Sequence, residues 1–390
     1  MTVLARGWIV ASLVLAGCPK GRSAVGDPVL PEQVDPVVAQ APLAVLAAGA
    51  DSLDPGPRGR ALALLIEAAG ADPWGRRAVV DPSDWVLRQG IDALGRRADP
   101  ASRALLEQLA ADPEGDPYAR GLAAIRAPGP ASSEAVTRAL ATEHEAWRIV
   151  PLALAAVRLG DAQATAALES SIATGEIPLD VAFVAELGRV TDPAVTAGLV
   201  RALEAAQDRV EDELELPVAA ARLMLGDLAG EQVLRKALAD DDEERRLEAV
   251  DYLVELSDPA STALLRRASA DGPDLVTWYA DLALAARGAG DPGVFERAAA
   301  EADREVRAFA VKFAGLAAGG TDSRRVGKTA AKVVVAGLAD PDAAVRVAAC
   351  RAVAALRLAD GRSGAEALLA DESELVRIEA AGAVVALTDR

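Results

Sequence analysis

Few side chains in this chain could do chemistry. Gly288-Ala289-Gly290-Asp291-Pro292-Gly293 matches the G-x-G-x-x-G spacing with which a backbone can approach a dinucleotide pyrophosphate. That pattern works between a strand and a helix. Here it follows the helical run Leu282-Ala283-Leu284-Ala285-Ala286, so it reads as a turn. Gly327-Lys328-Thr329 ends like a phosphate-cradling loop, but Asp322 stands where the first glycine is required and its charge repels phosphate. Gly361-Arg362-Ser363-Gly364-Ala365 is one letter from a nucleophile elbow, yet the sole histidine, His144, is more than two hundred residues away. His144 itself lies between Glu143 and Glu145 and reads as a solvated residue at a helix start.

Metal chemistry fares no better. One His and two Cys leave too few ligands for a Cys/His zinc site and little for His- or Cys-based catalysis. The run Asp240 to Glu244 offers hard oxygens to calcium, but Arg245 occupies the sixth position, where a tight calcium loop needs glycine. Acids at a helix start are accounted for by capping and the helix dipole. Arg324, Arg325, Lys328 and Lys332 form a concentrated basic patch. It reads as a solvated loop, with contact to an anionic partner or lipid headgroup as the sharper alternative. Lys and Arg total 41 against 59 Asp and Glu, a net charge of −18 that would repel a nucleic-acid backbone. No cofactor, metal, nucleic acid or small-molecule substrate is expected, and the chain reads as non-enzymatic.

The amino terminus carries an address. Arg6 is the only charge in the first seventeen residues, and an apolar stretch runs from Trp8 to Ala16. Such a stretch is too short for a bilayer core that needs roughly 20 helical residues. It ends in Leu15-Ala16-Gly17-Cys18, which resembles the bacterial lipobox. The resemblance implies cleavage before Cys18, a diacylglycerol on its thiol and an acyl chain on the freed amine. Two or more chains anchor a protein stably. Residues 1–17 are accordingly expected to be a lipoprotein signal peptide, and the body to be exported and lipid-anchored on the periplasmic or surface side of a bacterial envelope membrane. Residues 18–42 carry prolines at 19, 28, 31, 36 and 42 and are expected to form an extended tether at ~3 Å per residue.

Residues 43–390 repeat one phrase: an Asp-rich start, a Val-Arg pair about five residues on, then a small residue four after the Val. Asp340 to Arg346 followed by Ala349, and Asp371 to Arg377 followed by Ala380, are the clearest copies. Asp240 to Arg246 with Ala249, and Asp271 to Thr277 with Ala280, share the register, and Val306-Arg307 is a further pair. The Val slot falls at Leu87, Ala119, Trp147, Val181, Leu216, Arg245, Val276, Val306, Val345 and Val376, nine intervals across 289 residues with a mean near 32. Turn aspartates Asp161, Asp192, Asp227, Asp258 and Asp291 keep the same period. Each period holds two helical stripes, such as Leu247, Val250, Leu253, Val254 and then Ala260, Leu264, Leu265, Ala268. The β-branched run Val333-Val334-Val335 lies inside the helical period.

The phrase and period resemble HEAT repeats, particularly the short HEAT-like variety first recognised in phycobilisome-chromophore lyase subunits. The resemblance covers roughly residues 45 to 390 and implies an all-α, α-α superhelix of roughly ten helical hairpins. Ten such layers would make a rod or arc of roughly 80 to 100 Å at 8 to 10 Å per layer. The Arg slot holds Ala182, Pro217 and Thr277 in three copies, so no unbroken arginine ladder is expected. The wide step between Val306 and Val345 contains Gly319 to Arg325 and reads as a longer loop or an extended helix. Trp85, Trp147, Trp278 and Tyr279 stand near the Val slots and are expected to fill space between repeats. Cys350, on the stripe with Val347 and Val353, is expected to be a buried hydrophobe with no disulfide partner once Cys18 is acylated. Function is expected to be that of a lipid-anchored scaffold holding other proteins on an extended surface. The alternative is a subunit of an enzyme, which the lyase resemblance hints at.

Overall fold

Aspartates start the helices of this chain. In the computed structural model, Asp99, Asp116, Asp192 and Asp258 are N-caps with Pro100, Pro117, Pro193 and Pro259 in the first turn behind them. Each carboxylate accepts a first-turn backbone N–H that has no partner within the helix, and proline's fixed φ suits that turn. Asp161 caps helix Ala162–Thr174 without a proline. Asp227 and Asp291 accept from the backbone N–H of Ala229 and Gly293. All five periodic turn aspartates accept a backbone N–H two or three residues further on.

The structure describes residues 36–388, apart from residues 98, 144–145, 177–178, 180, 257, 271–274 and 320–323. Among the described residues there is no strand, and the chain is an all-α series of helical hairpins. Val333-Val334-Val335 lies within helix Arg324–Gly337. Two compact units are present, Met1–Leu64 with Ser257–Arg390, and Leu65–Leu256.

A core cluster of the second unit is built from aliphatic side chains, among them Leu154, Leu168, Ile172, Val184, Leu199, Leu203 and Val218, together with the ring of Phe183. The sequence ruler slips in places here. Val86 is buried where Leu87 was assigned the slot, and Phe183 and Val184 are buried while Val181 faces outward. Neighbouring apolar residues make the stripe ambiguous by one or two positions. Arg245 holds a Val slot but lies partly exposed at a helix start.

In the other unit, helix Glu374–Thr388 buries both of its sides: Val376, Ile378, Glu379, Ala380, Ala381, Ala383, Val384 and Leu387 are inaccessible. A helix with apolar residues on both sides needs a neighbour on each of them. Residues 36–64 cover it. Helix Pro36–Gly49 packs on helix Glu374–Thr388 with Leu46 fully buried. The fit is close enough that a Cβ on Gly49 would sit 2.7 Å from Ile378 Cδ1. Helix Pro36–Gly49 and helix Glu374–Thr388 are thus neighbours within one unit.

Helix Pro36–Gly49 also corrects the expected tether. Residues 36–42 are its opening turns, with Pro36 at the start and Pro42 inside. An interior proline costs a helix about 3 kcal/mol. Burial against the last helix compensates, so proline content alone misleads at these positions. Residues 1–35, with the expected signal peptide and Cys18, lie outside the described residues.

Ile378 is 1% exposed and wedged against Gly49. Ile378→Ala should lower unfolding free energy by about 2–5 kcal/mol in urea denaturation. A loss within about 0.5 kcal/mol, the range of a surface change, would mean that the first hairpin does not hold the last.

Candidate functional site

The arginine of the repeated phrase has a constant job. Arg246, Arg307, Arg346 and Arg377 each direct Nη1 backward to two carbonyls of their own loop, six and five residues earlier: Asp240 and Asp241, Glu301 and Ala302, Asp340 and Pro341, Asp371 and Glu372. Arg58 repeats the geometry with Ser52 and Leu53. The first hairpin therefore contains a copy of the phrase, Pro57-Arg58 followed by Ala61, that the sequence pattern missed because proline occupies its Val slot.

Two of these arginines also reach across to the next loop. Arg307 Nε and Nη2 donate to Asp340 at 2.8 and 3.1 Å, and Arg346 Nε and Nη2 donate to Asp371 at 2.9 and 2.9 Å. Such two-pronged guanidinium–carboxylate pairs fix geometry as well as charge. Burial pushes the Asp340 and Asp371 carboxyls up, and the hydrogen bonds and charge of Arg307 and Arg346 outweigh it, holding both below the usual carboxylate range. A buried triad adds to this in the same unit. Glu379, 1% exposed, accepts from Arg351 at 2.7 Å and from Arg60 at 2.8 and 2.9 Å. Desolvation alone would raise its pKa, but the charges of Arg351 and Arg60 bring it below the ordinary value. Arg60 lies in the first hairpin, so the triad ties that hairpin to the last two.

In the unit Leu65–Leu256, a cleft of about 420 Å³ opens between the loop before helix Asp212–Met224 and the loop before helix Glu243–Glu255. Its polar lining is Gln207, Asp212, Glu215, Lys236, Asp240 and Arg245. Arg245 forms an ion pair with Glu215, and its Nε is 3.5 Å from Asp240 Oδ2. Gln207 donates Nε2 to the Glu215 carbonyl at 3.2 Å, while its Oε1 is sealed from solvent with no hydrogen-bond donor. The acceptors that the cleft offers are the carboxylates of Asp212, Glu215 and Asp240.

The motifs of the sequence land in turns and helices. Gly288 takes φ +70° at the end of helix Leu275–Ala286, a left-handed turn conformation that glycine adopts freely. Gly361 closes a short 3₁₀ turn, and Ser363 lies in helix Arg362–Ala367. Within the acidic run, Asp242 caps helix Glu243–Glu255 by accepting the Glu244 N–H, and Asp240 accepts the Asp242 N–H. Among the described residues no group of three or more His, Cys, Asp or Glu is placed to hold a metal ion. Lys328 and Lys332 are exposed on helix Arg324–Gly337. His144 and the side chains of Trp147, Arg324 and Arg325 lie outside the described residues.

Tyr279 is buried as expected and stacks on Phe309 with centroids 4.4 Å apart, while Lys312 donates to its hydroxyl at 3.1 Å. Trp278 is half-buried. Trp85 departs from expectation: it lies at the surface, 36% exposed. It precedes Val86, and the residue that turns inward is the valine. Cys350 is buried with no disulfide, and desolvation pushes its thiol up to about 12. No described helix is long and apolar enough to cross a membrane.

No family model matches the chain, and no curated protein matches it. Among solved structures it is similar to an engineered protein, at 24% identity over 65% of this chain and 96% of that one, with a TM-score of 0.26. It is also similar to human deoxyhypusine hydroxylase in complex with glycerol, at 17% identity over 77% and 96%, with a TM-score of 0.27. The assignment of an all-α repeat fold rests on the helices and their recurring loops.

The depressed carboxyls set a pH dependence. A group whose folded pKa lies below its unfolded value, about 3.9 for Asp and 4.3 for Glu, contributes stability above that value and loses it as pH falls through the folded pKa. Asp340, Asp371 and Glu379 should therefore make the melting temperature fall steeply below about pH 4. A variant carrying Asp340→Asn and Asp371→Asn should be less stable at neutral pH and show a shallower acid limb; an acid limb as steep as wild type would contradict the assignment.

Proposed function

We propose that this chain is an exported, lipid-anchored protein of a bacterial envelope that binds other proteins through the surface of a HEAT-like helical repeat. One observation carries the reading: a lipobox-like Leu15-Ala16-Gly17-Cys18 stands ahead of a body built from one recurring helical hairpin. Cys occurs only twice in the chain, and one of the two falls directly behind Leu-Ala-Gly at the end of an apolar stretch. Acylation there would confine the body to a membrane surface and raise its effective concentration for partners held nearby. Stacked hairpins provide a series of loops on which a protein can make several modest contacts. A net charge of −18 favours partners that are not polyanionic.

Metabolic labelling with a clickable fatty acid should mark wild type and leave Cys18→Ser unlabelled and released from membranes; equal labelling of the two would refute the anchor. Cross-linking in intact cells followed by capture of the Cys18→Ser and wild-type forms should recover a common protein partner. Recovery of nothing above background from either form would refute the scaffold.

A further inference from the structure

A glycine marks the place that the opening helix takes. Gly337 ends helix Arg324–Gly337, nine residues before the phrase arginine Arg346. A Cβ there would lie 2.8 Å from Val311 Cγ2 in the preceding phrase helix and 3.2 Å from Ala349 Cβ in the next. Gly49 ends helix Pro36–Gly49, nine residues before Arg58, and a Cβ there would lie 2.7 Å from Ile378 Cδ1 and 3.1 Å from Ala61 Cβ. Ala349 and Ala61 each stand three residues after their phrase arginine. Helix Pro36–Gly49 therefore fits between helix Glu374–Thr388 and the opening of helix Pro55–Ala69 as helix Arg324–Gly337 fits between helix Arg304–Gly319 and helix Ala343–Leu356. It is the second helix of a repeat whose phrase helix lies more than three hundred residues further along the chain.

Its fastening differs from that of its surroundings. Helix Pro36–Gly49 contains no charged residue, so no ion pair can hold it. Pro42, inside it, lacks an N–H and crowds the carbonyl one turn earlier. Pro42, Leu46, Gly49 and Ala50 are buried, while Ala41, Ala44 and Ala48 face solvent, so the grip is apolar and one-sided. The loop behind it is tied differently as well. Arg307 and Arg346 each reach the aspartate that stands six residues before the next phrase arginine, but the position six residues before Arg58 is Ser52. Ser52 Oγ donates to Glu374 Oε2 at 3.2 Å, one bond from a neutral hydroxyl where the other two rungs have a two-pronged ion pair. Charged fastening begins beyond that loop, where Arg60 donates to Glu379 at 2.8 and 2.9 Å.

A segment held less firmly than the body opens at a lower free energy than global unfolding. We propose that helix Pro36–Gly49 is a strap, which lifts as a unit from helix Glu374–Thr388 about residues 50–54 and uncovers the face around Ile378, while Arg60 keeps the next helix in place. Cys18 lies eighteen residues before Pro36, so an anchor there would pull on the strap before it pulled on the body. The strap lifts whether or not Cys18 is acylated.

The test is native-state hydrogen exchange of the full chain in its Cys18→Ser form, read amide by amide across Leu43 to Gly49 and across helix Ala343–Leu356. The strap amides should share one opening constant, at least about tenfold larger than that of helix Ala343–Leu356. Gly49→Ala, whose methyl meets Ile378, should raise the strap opening by about tenfold, and Pro42→Ala should lower it by about tenfold. Neither change should move helix Ala343–Leu356. Should Gly49→Ala fail to fold, wild type and Pro42→Ala decide. Strap amides that open only together with helix Ala343–Leu356 overturn the proposal, and so does protection that climbs steadily from Leu43 to Gly49, the pattern of a fraying end. Variants that shift both regions equally overturn it too. Fatty-acid labelling and partner cross-linking do not depend on the strap, so a negative exchange result beside positive cross-linking sinks this inference and leaves the scaffold standing.

Discussion

An arginine that donates backward to its own loop and sideways to the next aspartate holds neighbouring hairpins in register. Arg307 and Arg346 each place one nitrogen on two loop carbonyls and two more on a carboxylate, which uses nearly all of the guanidinium's directed donors. The carbonyls involved lie in the loops between helices, where no intrahelical partner exists, and the carboxylate belongs to the loop that follows. One side chain thereby closes a turn and fixes the distance to the next turn. The alanine-rich cores need that constraint, because small side chains interlock weakly and would tolerate sliding.

Closure of the first hairpin onto the last is the second constraint, and it explains a sequence feature that would otherwise be a liability. Helix Glu374–Thr388 has apolar residues on both sides and would expose one of them if it packed on a single neighbour. Residues 36–64 cover that side, and Glu379, held between Arg60 and Arg351, is the polar element of the contact. Removing one member of such a buried set leaves an uncompensated charge, so the triad enforces which hairpin docks there more than it adds net stability.

Much of the fold was legible in sequence because the signals are local. The Asp caps, the helical stripes and the thirty-odd-residue period all arise within one hairpin and were readable at Asp161, Asp192, Asp227, Asp258 and Asp291. The slips at Leu87 and Val181 come from runs of adjacent apolar residues, Trp85-Val86-Leu87 and Val181-Ala182-Phe183-Val184, in which more than one position could carry the stripe. The opening helix was hidden by its prolines, and the phrase copy at Arg58 by the proline beside it. Closure was not readable at all: Glu379 and Arg60 are 319 residues apart, and nothing local links them. The candidate site was half legible. Pro217 stood out as a break in the Arg slot, but the cleft lined by Gln207, Glu215, Asp240 and Arg245 brings together residues from three separate stretches of chain and had no local signal.

The most direct measurement of the register mechanism is a double-mutant cycle at Arg307 and Asp340, with Arg307→Ala, Asp340→Ala and the double variant compared by urea unfolding. The mechanism predicts a coupling energy of about 0.5–3 kcal/mol, the range for residues in one hydrogen-bond network. Single-variant losses that add within about 0.3 kcal/mol, as for independent sites, would contradict it.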